Sequence, residues 1–236
     1  MNYFQSKVTV DVHDVDFNGV AKCSSMMKYI QSAAELQLAE SGKSYDVLKS
    51  QHRAFVLSKI KMEFSDTVKA YEPLDAVTYP ATSRGFSFLR CYKLVRDGVT
   101  VGRAVGVWAL IDTAKHSLVR VNDFDLGLTT YEPIDLPICR IVIPDGMCEV
   151  GKFQVGYAEA DQNMHMNNTR YPEVYCRFLP MAKNRIESIT INYLKEAAMG
   201  ELLTVESVEC DGLYYFRTLC RDGSVNSEAE IKLCKI

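Results

Sequence analysis

Val8, Val10 and Val12 alternate with polar neighbours, which is the period of a half-buried strand. A polar turn, HDVDFNG, follows. Met26, Ile30, Ala33, Ala34 and Leu38 then recur at helical spacing until Gly42 stops the run, which predicts a helix over 26–41. A shorter helical stretch runs from Ser44 to Ser50. From Ala54 strand signals dominate: AFVLSKIKMEF, DAVTYPATS, FSFLRCYKLV and VGRAVGVWALID. The last two meet at Arg96-Asp97-Gly98, where Asp-Gly supplies the positive φ angles of a tight hairpin.

The second half repeats this order. FQVGY reads as a strand and ADQNMHMNN as a polar turn, and Tyr171, Val174, Tyr175, Phe178 and Leu179 form a helical face. Ile189, Ile191 and Tyr193 alternate, ELLTVESVE continues, and LYYFRTLC and SVNSEAEIKL close around a second Arg-Asp-Gly at 221–223. Asp16-x-Asn18 lies over Asp161-x-Asn163, Ile60-Lys61-Met62 over Ile189-Thr190-Ile191, and Tyr71-Glu72-Pro73-Leu74 over Gly200-Glu201-Leu202-Leu203. Chance alignments do not preserve element order, so the chain reads as an internal duplication. An apolar helix stripe must bury itself on a sheet face, and pairing two sheets edge to edge hides their edges. The predicted fold is therefore α+β, a tandem (double) hot-dog. Each half is a long helix wrapped by an antiparallel sheet, with the two sheets pairing into one. The first domain spans 1–126 and the second 148–236. The segment 127–147, with Pro133, Pro137 and Pro144, is an extended linker.

Composition narrows the function. The 236 residues are 47% hydrophobic and 24% charged, an ordinary soluble balance with enough apolar matter for a core. A formal net charge of -3 with no basic stripe speaks against nucleic acid. An acidic protein partner would need a local basic patch. None of the eight Cys forms a C-x-x-C pair and no His stands at ligand spacing, so no metal or cofactor is expected. The thiols read as reduced and mostly buried. No apolar run approaches a membrane span, and the strand pattern begins too early for a leader peptide. The expected location is cytoplasmic.

The densest polar stretch is DQNMHMNNTRYPEVY, Asp161 to Tyr175. Asn167, Asn168 or Thr169 can cap the helix that follows, and Pro172 fits its first turn. Capping leaves Asn163 and His165 unexplained. They lie upstream, where a helix N-terminus directs free N–H groups and partial positive charge, a place suited to a developing oxyanion. A His there can carry protons near neutral pH. The first turn has Val20 where the second has His165. One half is thus equipped for chemistry, and the other is free to bind.

Asp161-x-Asn163-x-His165-Met166-Asn167-Asn168-x-x-Tyr171 resembles the signature of acyl-acyl-carrier-protein thioesterases. Ile191-Asn192-Tyr193-Leu194-Lys195-Glu196 resembles that family's second block, in which a Tyr precedes a catalytic Glu by three residues. Asp16-x-Asn18-Gly19 with the Gln31–Ala34 helix resembles its first domain. The likeness covers nearly the whole chain. It implies a double hot-dog enzyme that hydrolyses the thioester between a fatty acyl chain and the phosphopantetheine arm of acyl carrier protein. It also implies Asp161, Asn163, His165 and Glu196 as the catalytic set, with the first domain holding the acyl chain. Two positions depart. Ala197 stands where many members carry a Cys once considered a nucleophile, and Val174 where plant members often carry Trp.

Without that Cys, Glu196 either activates a water or attacks directly to give a transient anhydride, and the water route needs fewer steps. His165 would orient the water and pass a proton to the leaving thiolate, Asn163 and a backbone N–H would hold the carbonyl oxygen or Glu196, and Asp161 would brace the loop. From helical phase, Met26, Met27, Tyr29 and Ile30 are expected to line the acyl site, with Asn167 and Asn168 near the thioester. The alternatives are an acyl-CoA thioesterase of the same fold and a non-catalytic acyl-binding module; a hydratase wants a different spacing. A carrier-protein partner would find its basic patch among Arg170, Arg177, Lys183 and Arg185. Internal sheet pairing permits a monomer as well as a homodimer.

Overall fold

The computed structural model describes residues 3–236. The first half runs β1 (Phe4–Thr9), α1 (Cys23–Glu40), α2 (Tyr45–Ser50), β2 (Arg53–Phe64), β3 (Pro73–Pro80), β4 (Phe88–Arg96), β5 (Val99–Asp112) and the short β6 (Ser117–Val119). The second runs β7 (Cys148–Gln154), α3 (Tyr171–Cys176), β8 (Asn184–Tyr193), β9 (Leu202–Cys210), β10 (Leu213–Leu219) and β11 (Val225–Lys235). All strands join one antiparallel sheet in the order β1-β3-β4-β5-β2-β8-β11-β10-β9-β7, with β6 paired to β5. The order is the same read from either end once the halves are matched. This is the double hot-dog arrangement expected from the repeat.

The halves meet where β2 pairs with β8. Ile60 faces Ile191, Lys61 faces Thr190 and Met62 faces Ile189. These are the same residues that the repeat aligns, now in reversed order. Equivalent residues exchanged across a pair define a two-fold contact, and Lys61 and Thr190 sit on its axis. Ile60, Met62, Ile189 and Ile191 are all buried and belong to one apolar cluster that also takes Met27, Ile30, Tyr175 and Phe216. Burying each such side chain contributes about 1.5–3 kcal/mol. One core therefore serves both halves.

The turns carry out what the sequence signals. Asp97 (φ 50°) and Gly98 (φ 78°) reverse the chain between β4 and β5. Ser44 caps α2, and Gly42 in the left-handed region (φ 76°) ends α1. Two elements differ from the pattern. The second helix is only six residues long, although its apolar face continues to Leu179. Pro180 disfavours helical backbone at the residue before it, and Phe178 and Leu179 fold onto the core through a turn instead. The strand expected at Phe153–Tyr157 begins earlier, at Cys148, and ends at Gln154.

The segment between the halves has no strand or helix from residue 127 to 147 beyond a single bridge of Tyr131 to Ala81. It is nonetheless fixed. Tyr131 exchanges backbone bonds with Pro80 and Thr82, and Leu136 is buried with Tyr79, Cys91 and Val105 on the outer face of the first sheet. Among the described residues no helix is long and apolar enough to cross a membrane.

The seam is the place to test the packing. Ile191→Ala is expected to lower unfolding free energy by about 2–5 kcal/mol, read by denaturant titration. A loss far below that range would mean that the two sheets are not tightly joined there.

Candidate active site

The motif loop is built by Asp161. Its Oδ1 accepts the Asn163 N–H at 2.8 Å, and its own N–H donates to the His165 carbonyl at 2.8 Å. Closing the loop this tightly puts Met164 at φ 63°, a backbone region uncommon for residues with a Cβ. The first half closes the same loop with Asp16, Asn18 and Gly19 (φ 72°), and Asp16 takes the Asn18 and Val20 N–H groups. The repeat therefore keeps the same backbone bonds across the loop and the same Asp-to-Asn side-chain bond.

The loop is then stitched to the segment after β8. His165 bridges Ala198, and the Met166 N–H donates to the Ala197 carbonyl at 2.8 Å. This brings Glu196 beside His165, with Oε2 3.5 Å from Nδ1. In the first half Val20 bridges Lys69 and the Ala21 N–H reaches the Val68 carbonyl. The same frame there presents Val20 and Thr67 in place of His165 and Glu196. Only the second half holds an acid and a base together.

Two side chains that sequence reading missed secure this arrangement. Tyr45, on α2 of the first half, donates its hydroxyl to Asn163 Oδ1 at 2.8 Å, so the amide oxygen is held and Nδ2 is the end left to donate. Asn226, fully buried on β11, ties down the backbone leading to Glu196. Its carbonyl accepts the Leu194 and Lys195 N–H groups, and its Nδ2 donates to the Lys195 carbonyl (2.5 Å) and the Tyr171 hydroxyl (3.1 Å). Thr218 satisfies its Oδ1 at 2.8 Å. Burial above all pushes the Tyr171 hydroxyl up to about 12, with the Asn226 bond opposing and the charges of Cys220 and Glu196 adding to the rise. Tyr171 thus stays protonated as a fixed wall. Neither contact has a local sequence signal, because each joins residues more than thirty positions apart.

Asn163, His165 and Glu196 stand on the rim of a cavity of about 620 Å³. Its other walls are α1 and the facing strands: Ala34, Leu38, Phe55, Leu57, Phe88 and Trp108. Asp161, Asn168 and Tyr171 also line it. Of the residues expected on the acyl wall, Met26, Met27, Tyr29 and Ile30 do not line it; all four are buried in the core, and Tyr29 donates to Asp14. The reason is helical phase. The stripe that packs on the sheet is Met26, Met27, Ile30, Ala33 and Ala34, and the cavity opens along its flank at Gln31, Glu35 and Leu38. Asn168 lines the cavity, with Oδ1 buried and unpaired. Asn167 instead caps the turn that leads into α3 by accepting from Thr169, and it faces a separate polar cleft of about 450 Å³.

Arg170 pairs with Glu173, Arg177 lies over the Phe153 ring, and Arg185 donates to the Phe64 carbonyl. The cationic side chains lining the main cavity are Lys43, Arg53, Arg90 and Lys195, with His116 beside them. Cys176 lies on the motif helix but does not line this cavity. Burial first, then the charges of Glu173 and Asp16, push its thiol up to about 12. Among the described residues no three His, Cys, Asp or Glu side chains stand close enough to share a metal ion.

Comparison with known proteins bears on what such a site belongs to. The model of the acyl-ACP thioesterase N-terminal domain matches residues 1–125, and that of the C-terminal domain matches residues 145–233. The chain belongs to the acyl-ACP thioesterase family. It is accordingly a thioester hydrolase. The fold agrees. An acyl-ACP thioesterase from Bacteroides thetaiotaomicron superposes with a TM-score of 0.90 at 18% identity over 98% of both chains. A putative oleoyl thioesterase from Lactobacillus plantarum gives 0.86 at 14% identity, over 100% of this chain and 97% of the other. A 12:0-ACP thioesterase from Umbellularia californica gives 0.85 at 12% identity, over 99% and 98%. No curated protein sequence gives a significant match.

Asn226→Ala tests the support behind Glu196. It removes the side-chain bonds to the Lys195 carbonyl, the Tyr171 hydroxyl and Thr218 and is expected to cost about 1–3 kcal/mol of stability and to lower kcat for thioester hydrolysis. If stability fell and kcat did not, Asn226 would serve the fold alone.

Proposed function

We propose that the chain hydrolyses the thioester joining a fatty acyl group to the phosphopantetheine arm of acyl carrier protein, releasing the free acid and ending chain elongation. The observation that carries this is the single His–Glu pair, His165 with Glu196 at 3.5 Å, set with Asn163 on the rim of a largely apolar cavity. The acyl chain enters the cavity and the thioester stops at the rim.

In this reading Glu196 takes a proton from water as the water oxygen attacks the thioester carbonyl. Asn163 Nδ2, oriented by the Tyr45 bond to its Oδ1, donates to the oxygen that becomes negative. His165 holds the water and carries the proton on to sulfur as the carbon–sulfur bond breaks, leaving the acid and the pantetheine thiol. Asp161 braces the loop. Glu196 is 59% exposed in the absence of substrate, so water reaches it without rearrangement, which suits water attack over an anhydride. The neighbouring Ala197 offers no thiol, and Cys176 is half-buried with its thiol pushed up to about 12.

The roles predict distinct losses. Glu196→Ala is expected to lower kcat by about 10²–10⁴-fold, the usual range for a general base, and Asn163→Ala by about 10²–10³-fold, as for an oxyanion donor. Thiol release from carrier-protein and CoA thioesters of graded chain length measures both. Fast release from carrier-protein substrates, lost in Glu196→Ala, supports the proposal. Preference for CoA would keep the chemistry and replace the partner. Full activity in Glu196→Ala would refute its role.

Cysteine independence gives a second check. Cys176→Ser is expected to retain wild-type kcat, and alkylation of exposed thiols such as Cys139 and Cys148 to leave hydrolysis intact. Loss of turnover on Cys176→Ser, in a protein with unchanged stability, would restore a thiol nucleophile.

A further inference from the structure

The cavity is not uniformly apolar. Arg90, on β4, lines it and is 6% exposed, the one arginine among the buried polar residues. Its Nη1 donates to Gln37 Oε1 at 2.7 Å and to Thr78 Oγ1 at 3.1 Å. Its Nε and Nη2 have no protein partner, and neither is sealed away as an orphaned buried atom. The side chain that carries them lines the lumen. No acid pairs with it, whereas Arg53, Arg96, Arg103, Arg170 and Arg217 each pair with one. Burial accordingly holds Arg90 below the ordinary arginine range.

Two further polar groups face the same space from α1. Gln31 Nε2 is buried with no partner. Glu35, exposed one turn further on, also borders the lumen, and burial of part of its surroundings raises its carboxyl. A plain hydrocarbon would leave Arg90 Nε and Nη2 without hydrogen bonds, which is costly. An occupant with its own oxygen would satisfy them.

We infer that this cavity takes acyl chains bearing an acceptor oxygen well beyond the thioester, as a hydroxyl, oxo or terminal carboxylate group, and that Arg90 binds that oxygen. The inference rests on the acyl-thioester reading above. The position follows from the sheet. Glu196 follows β8, and Arg90 is on β4, three strand positions away across β2 and β5, about 14 Å at ordinary strand spacing. The oxygen is therefore placed far from the β-carbon.

The test compares kcat/KM for carrier-protein thioesters of decanoate, β-hydroxydecanoate, ω-hydroxydecanoate and the ω-carboxy analogue. The wild type is expected to favour one or both ω-oxygenated chains over decanoate by about tenfold, with no such gain for the β-hydroxy chain. The two ω arms separate a neutral oxygen from a carboxylate. Arg90→Met is expected to collapse the ratio, a readout that is internal to each protein. Hydrolysis of all four chains with decanoate preferred would overturn this inference and leave the thioesterase reading standing. Hydrolysis of none would overturn both. The wild-type ratio decides even if Arg90→Met does not fold.

Discussion

The pairing of β2 with β8 is the constraint on which the molecule depends. It fuses two short sheets into one and sets a two-fold axis at Lys61 and Thr190. Because the axis relates the halves, α1 of the first lies against the motif loop of the second. Tyr45 can then reach Asn163 across the join. Neither half alone closes the cavity. Its rim comes from the second half and most of its length from the first.

The two halves hold matching frames, and only the second carries a His beside a Glu. The loops at Asp16 and Asp161 use the same backbone bonds, so the scaffold cost of holding a side chain at the rim is the same in both. The difference lies in two side chains, Val20 against His165 and Thr67 against Glu196. The helices diverged with them. α1 kept 18 residues and supplies a wall, while Pro180 stops the second helix after α3 and its turn.

Much of this is legible in the chain itself. Strand alternation, the two Asp-Gly turns and the order of the repeat set the architecture, because they are local signals repeated twice. The Asp161–His165 loop stands out for its polarity, and the family resemblance brings in Glu196. What sequence does not reveal is what depends on exact phase or long reach. Helical periodicity finds Met26, Met27, Tyr29 and Ile30 but not that they face the core rather than the cavity, since a buried stripe and a cavity flank are about a quarter-turn apart. Tyr45, Asn226 and Arg90 act through contacts between distant segments. Their neighbours in sequence give no hint of them, and burial without a partner is visible only in three dimensions.

In the proposed reading a thioester is cleaved on the rim formed by Asn163, His165 and Glu196, with its acyl chain lying along α1 of the first half. The most direct measurement is a crystal structure of the Glu196→Gln protein with a non-hydrolysable acyl-pantetheine amide. The account predicts the carbonyl beside Asn163 and residue 196, and the chain running past Ala34 and Leu38 toward Arg90. A chain lodged in the polar cleft beside Asn167, or a carbonyl far from His165, would contradict it.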